Sequence, residues 1–172
     1  TPMQVPLVMT VIGKDRTGLV ESVARLVAEQ GGNWLESRMC RLGGDFAGIL
    51  RVHVPKDRRT ALEAELAKLA GLTIVVRSDE PAATAGAMQL ASLEVVGQDR
   101  PGIVKEITHA LSAQGINVEE LATECVSAPM SGEPLFQAKA KILAPANVAL
   151  EKLRQTLENA MSGLTVELER IK

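Results

Sequence analysis

An internal repeat constrains this chain more than any other feature. Val11-Ile12-Gly13-Lys14-Asp15-Arg16-Thr17-Gly18-Leu19-Val20 returns as Val95-Val96-Gly97-Gln98-Asp99-Arg100-Pro101-Gly102-Ile103-Val104. The register continues without a gap until Gln30-Gly31-Gly32-Asn33 falls on Gln114-Gly115-Ile116-Asn117. Further on, Phe46 to Pro55 corresponds to Phe136 to Pro145 after a short insertion in the second copy. Repetition of this extent means that one supersecondary unit is built twice. The 172 residues therefore divide into two small domains, 1–79 and 88–172. The linker is 80–87, where a Pro-Ala-Ala-Thr-Ala-Gly run carries no periodic apolar stripe.

In each copy the hydrophobic period switches in the same order. Leu7 to Ile12 and Leu90 to Val96 are short runs rich in β-branched residues that end at glycine, which predicts largely buried strands. Leu19, Val20, Val23, Leu26 and Val27 then recur at three- and four-residue steps, as do Ile103, Val104, Ile107 and Leu111, which makes an apolar helical stripe. Gly31 and Gly115 are placed to stop these helices. Asn33 to Leu42 and Phe46 to Val54 flank Gly43-Gly44-Asp45 and predict a hairpin. Its counterpart joins Asn117 to Val126 with Leu135 to Leu143 through the longer Ser127 to Pro134. A second helix (Arg59 to Ala70; Asn147 to Met161) and a last strand (Leu72 to Arg77; Leu164 to Glu169) close each unit. The order βαββαβ predicts an α+β fold of the ferredoxin-like kind, an antiparallel sheet with both helices on one face. A domain of roughly 60 to 90 residues buries only about 60% of its unfolded surface, so the expectation is a homodimer.

Composition removes several function classes. The net charge is −2 and no dense basic block occurs, so a direct grip on nucleic-acid phosphates is not expected. Two Phe, one Trp and no Tyr cannot supply a base-stacking sheet. No apolar run approaches the roughly 20 residues that span a bilayer, and the opening Thr1-Pro2-Met3-Gln4-Val5-Pro6 has no basic region followed by an apolar stretch, so a cytoplasmic address is expected. Cys40 and Cys125 match neither a CxxC nor a zinc spacing and are expected as small core or half-buried residues. His53 and His109 stand without a repeated carboxylate, Ser or Cys around them, so neither catalysis nor a metal is indicated, and no cofactor is called for. Trp34 is expected to pack in a core or interface.

The segment that carries function is Gly-x-Asp-Arg-x-Gly, present in both copies where the first strand gives way to the first helix. Asp15 and Asp99 can cap the free N–H groups of that helix, and Pro101 is tolerated in a first turn. Capping alone does not require Gly18 and Gly102 in the first turn, where each costs up to about 1 kcal/mol relative to Ala. A missing side chain there would let a backbone or a ligand approach. A helix N-terminus suits a carboxylate. The ammonium end of an amino acid would find acceptors in Asp15 or Asp99 together with Asn33 or Asn117, which begin the second strand, an edge strand in this topology. The two features could meet across an interface. The simpler reading is that Asp caps, Gly turns and Asn ends a helix. Arg16 and Arg100 either pair with nearby acids or reach a ligand carboxylate. The glycine spacing lacks the Gly-Lys-Ser/Thr ending of a phosphate loop and the full dinucleotide fingerprint.

These turns, the Gln-Gly-x-Asn segments and the βαββαβ order resemble tandem ACT domains. Ala128 to Phe136 resembles the second-domain hairpin of the glycine cleavage system transcriptional repressor family. The resemblance implies a regulator that binds a small amino acid, glycine or similar, and acts through a partner transcription activator. It implies ligand contacts from Asp15, Arg16, Thr17, Gly18, Leu19 and Val20 in the first copy and from Asp99, Arg100, Pro101, Gly102, Ile103 and Val104 in the second. Thr17 against Pro101, and Trp34 against Val118, distinguish the two sites. With five heavy atoms, glycine would bind no tighter than roughly micromolar. A protein-interaction module with vestigial pockets is the alternative. ACT-type domains are often attached to catalytic domains, as in formyltetrahydrofolate hydrolases, but two such domains leave no residues here for chemistry, so an enzyme is not expected.

Overall fold

Alternation along β1 (Gln4–Lys14) sets the first sheet: Leu7, Met9 and Val11 are fully buried, whereas Thr10 and Ile12 are exposed. In a pleated strand these are opposite faces. The computed structural model describes residues 3–80 and 86–172; five residues of the expected linker 80–87 lie outside them. The chain divides into two compact units, residues 1–82 and 83–172, and each is described by itself.

In the first unit α1 (Leu19–Glu29) follows β1, then the hairpin β2 (Asn33–Leu42) and β3 (Asp45–Pro55), a short 3-10 turn, α2 (Arg59–Ala67) and β4 (Leu72–Ser78). The second unit repeats the order as β5 (Met88–Gln98), α3 (Ile103–Ala113), β6 (Asn117–Ser127), β7 (Pro134–Pro145), α4 (Leu150–Ala160) and β8 (Leu164–Arg170). The sheets run β2-β3-β1-β4 and β6-β7-β5-β8, antiparallel throughout. This is the ferredoxin-like arrangement. It leaves β2 and β6 at sheet edges, and both carry a register shift near their start, at Trp34/Glu36 and at Val118/Glu120.

The helices cover one face of each sheet. Val23, Leu26 and Val27 of α1 and Leu62 and Leu66 of α2 pack on Leu7, Met9, Val11, Leu50 and Val52. In the second unit Ile107 and Leu111 of α3 and Leu153 and Leu157 of α4 pack on Leu93, Val95 and Ile142. Each such side chain contributes about 1.5–3 kcal/mol when fully buried. Trp34 is half-buried and packs against the first core. The second helices are shorter than periodicity suggested, ending at Ala67 rather than Ala70 and starting at Leu150 rather than Asn147.

The cysteines correct the expectation of burial, for both are exposed. Cys40 pairs with Ala47 on the sheet face away from the helices, one step out of phase with Met39, which packs on the core. Cys125 lies opposite Phe136 near the hairpin end of β6, beside the β5–α3 loop.

Candidate functional site

The two Gly-x-Asp-Arg-x-Gly segments form the β1–α1 and β5–α3 loops, and most of their residues serve the fold. Gly13 and Gly97 sit against the start of the last strand: a Cβ on Gly13 would lie 2.3 Å from the Gly71 carbonyl oxygen, and one on Gly97 would lie 2.2 Å from Leu164 Cδ2. Gly18 and Gly102 are not inside the first helical turn, as expected, but are the N-cap residues, with φ of 83° and 82°. Nothing lies within 4 Å of a Cβ added at either. Backbone handedness, not a close neighbour, therefore requires glycine there. Gly102→Ala is expected to destabilise the second domain by about 1–2 kcal/mol, readable as a lowered urea midpoint. Pro101 correspondingly precedes the cap and is exposed.

Asp15 and Asp99 do not cap. Neither helix receives a side-chain cap, because the aspartates are drawn to the hairpin instead. The Asp15 N–H donates to the Gly44 carbonyl at 3.0 Å and the Asp99 N–H to the Pro134 carbonyl at 3.1 Å. The Asp15 carboxylate is 2.7 Å from Arg41 Nε on β2. Arg41 lies opposite Phe46, and Cys125 occupies the equivalent place opposite Phe136. There the Asp99 carboxylate meets a thiol: desolvation, followed by the charge and hydrogen bond of Asp99, raises Cys125 above the ordinary thiol range.

Arg16 and Arg100 reach across to the turn before the last strand. Arg16 Nη2 donates to the Ala70 carbonyl at 3.1 Å, and Arg100 Nη2 to the Ser162 carbonyl at 2.9 Å. Arg100 also pairs with Glu106 at 2.7 Å, and Glu106 accepts the Ser162 N–H at 3.0 Å. The Arg100 hydrogen bond first, then that of Ser162, holds the Glu106 carboxyl below the usual glutamate range. The arginines are thus ties within each unit.

The remaining candidates separate by exposure. Leu19 and Ile103 are buried at 3% and 4%, so only their backbone can meet a ligand, whereas Val20 and Val104 are 40% and 41% exposed; Thr17 is exposed. The first-turn N–H groups have no intrahelical acceptor and no side-chain cap, although in the second unit the Ile103 N–H donates to the Arg100 carbonyl at 3.4 Å. Asn33 and Asn117 are not brought to these loops within a unit. Asn33 pairs with His53 and, through it, Pro6, at the opposite end of the sheet from Asp45, Lys14 and the loop. Asn117 donates to Glu119 at 3.2 Å. A small apolar cavity between α3 and the sheet, bordered by Val104, Ile107 and Phe136, has a volume of about 10 Å³, room for little more than one water. His53 is half-buried on β3 and His109 is exposed on α3. Among the described residues no group of three or more His, Cys, Asp or Glu could hold a metal, and no helix is long and apolar enough to cross a membrane.

Two matches to models of the ACT domain cover residues 5–76 and 91–157. The chain belongs to the ACT domain family. Both of its ACT domains retain the strand order described above. The chain is 27% identical over 165 residues to the glycine cleavage system transcriptional repressors of Escherichia coli and Shigella flexneri, with 94% of this chain and 85% of theirs covered. Among solved structures it is similar to an unknown protein from Galdieria sulphuraria (30% identity, TM-score 0.83, 99% of this chain and 100% of that one). The crystal structure of a protein assigned as a glycine cleavage system transcriptional repressor shares the fold (22% identity, TM-score 0.70, 99% of each chain).

Three participants at these ACT loops escape the sequence: Arg41, Cys125 and Glu106. The first two come from strands whose register depends on the shift near the start of β2 and β6. Their one signal is that positions 41 and 125 align when the repeat is carried past Asn33 and Asn117. Glu106 replaces Ser22 of the first copy, whose hydroxyl donates to its own Gly18 carbonyl at 2.9 Å.

Proposed function

We propose that this protein senses a small amino acid, glycine or one of similar size, and regulates glycine cleavage genes through a partner transcription activator without contacting DNA. The observation that carries this reading is the pairing, in each ACT domain, of an uncapped helix N-terminus with an aspartate in the same loop. Free N–H groups and the positive end of the helix dipole suit the ligand carboxylate, and Asp15 or Asp99 suits its ammonium. The names of the curated relatives and the low net charge, −2, agree with a regulator that works through another protein. Regulation rather than catalysis is the role assigned to both domains, 1–79 and 88–172, with 80–87 as their linker and the cytoplasm as their address.

The placement of Asn33 and Asn117 favours a homodimer. A strand of ten residues extends about 33 Å, so Asn33 cannot reach the loop of its own domain, and a second copy of the chain is the proposed source of the asparagine. Two edge strands paired antiparallel would bring the start of one beside the hairpin end of the other. The candidate ligand contacts are then the backbone of Asp15 to Val20, of Asp99 to Val104, or of both, with Asn33 or Asn117 from the neighbour. Calorimetry over a panel of amino acids including glycine and serine is expected to give saturable binding in the micromolar to millimolar range. Asp15→Ala combined with Asp99→Ala should abolish it. Absence of heat at millimolar concentrations for the whole panel refutes the reading.

The ion pair on Asp15 and the local bond of Asn117 favour the second reading, an interaction module with unused pockets. Capture of the same partner with and without amino acids would support that one.

A further inference from the structure

We propose that the two ACT domains are not equivalent sensors: the second is the occupied one, its loop preset by the positioning residues Glu106 and Arg100, while in the first Arg41 takes the place of the ligand's ammonium. This inference rests on the amino-acid-sensing reading and concerns which loop carries it.

Two differences between otherwise matching loops lead here. The first is charge. At one position of the second strand the first domain has Arg41, with its Nε 2.7 Å from the Asp15 carboxylate. The second domain has Cys125 there, which leaves Asp99 a neutral neighbour. An ammonium arriving at Asp15 must displace a guanidinium, whereas at Asp99 it meets an anion that no cation pairs among the described residues. The pair on Asp15 is exposed, and displacement of such a pair weakens binding by up to about fivefold.

The second difference is rigidity. In the first domain the loop is tied to the turn before β4 by one side-chain bond, Arg16 to the Ala70 carbonyl. In the second, Arg100 bonds both the Ser162 carbonyl and Glu106, and Glu106 accepts the Ser162 N–H in return. The first turn of α3, where Glu106 stands, is therefore cross-braced to the turn before β8. At the equivalent position Ser22 only returns a bond to its own turn. A loop already held in its binding shape loses less freedom when a ligand arrives. The Arg100 guanidinium also neutralises Glu106, so that its carboxylate does not repel the ligand's.

The test uses the full chain and glycine as the probe. Titration calorimetry is expected to give one glycine per chain. Asp15→Asn should leave the affinity within about twofold, and Asp99→Asn should weaken it by more than about tenfold. Glu106→Gln should weaken it about fivefold at unchanged stoichiometry, and Glu106→Ala further, since glutamine keeps one of the two acceptors. Hydrogen exchange separates positioning from mere folding: Glu106→Gln should speed exchange at the Ser162 amide and the β5–α3 loop while the β5 and β7 amides stay protected. Two glycines per chain, or binding lost in Asp15→Asn and kept in Asp99→Asn, overturns the inference while leaving the sensing reading intact. Undisturbed affinity and loop exchange in Glu106→Ala removes the positioning role. Failure of the unaltered chain to bind glycine or any amino acid of the panel is a different result and removes both.

Discussion

Gly13→Ala is expected to destabilise the first ACT domain by about 3 kcal/mol or more, and Gly97→Ala the second by about 1–3 kcal/mol, although the two glycines occupy the same position of the repeat. The difference lies in what the new methyl group meets. At Gly13 it would be 2.3 Å from the Gly71 carbonyl oxygen and 2.7 Å from Leu72 Cδ2. A backbone oxygen at that distance moves only if β1 and β4, which pair from Gly13/Leu72 to Leu7/Ser78, are forced apart. At Gly97 the nearest atom is the end of the Leu164 side chain at 2.2 Å, while the Gly163 carbonyl stands at 3.1 Å, so rotation of one leucine relieves most of the clash. Overpacking costs typically about 1–3 kcal/mol and more where the obstacle is rigid. Urea unfolding of each variant would read the order directly. A larger midpoint shift for Gly97→Ala than for Gly13→Ala contradicts this account.

The other large effect is in the cores. Leu62→Ala and Leu157→Ala each remove a side chain with no solvent exposure and are expected to cost about 2–5 kcal/mol. A domain of this size holds on the order of 4–12 kcal/mol in total, so either change consumes a large part of it. The chain has one tryptophan. Trp34 packs on the cluster that contains Leu62, so the Trp34 fluorescence transition reports the first domain and should move to lower urea in Leu62→Ala with little change in slope. For Leu157→Ala, far-UV circular dichroism is the appropriate probe. A shift below about 1 kcal/mol in both would mean that these leucines are not the keystones that their burial implies.

The motif that draws attention in the sequence therefore has two layers of meaning. Gly13, Arg16 and Gly18, with Gly97, Arg100 and Gly102, answer needs of the fold: a close approach to the last strand, a bond to the preceding turn and a left-handed cap. What remains for the proposed ligand is narrower: the first-turn N–H groups that have no partner, the carboxylates of Asp15 and Asp99, and any group that a neighbouring strand supplies. A motif with chemical character can be repeated faithfully because the architecture requires it. Its presence twice is evidence for the fold before it is evidence for two working sites.

The sequence by itself determined the duplication, the order of elements in each unit and most of the apolar stripe that each first helix buries. These depend on short-range period and on glycine placement, which are local properties of the chain. It also located both loops between the first strand and first helix. Only the tertiary structure decided what the loop side chains do. Whether an aspartate caps its own helix or turns to the hairpin depends on strand register, and that follows from pairings between residues far apart in sequence. Register set Arg41 beside Asp15 and Cys125 beside Asp99, and the packing of the second helix set Ser162 within reach of Arg100 and Glu106. It likewise placed Cys40 on an open sheet face, because a step of one residue along a strand reverses the direction of the side chain.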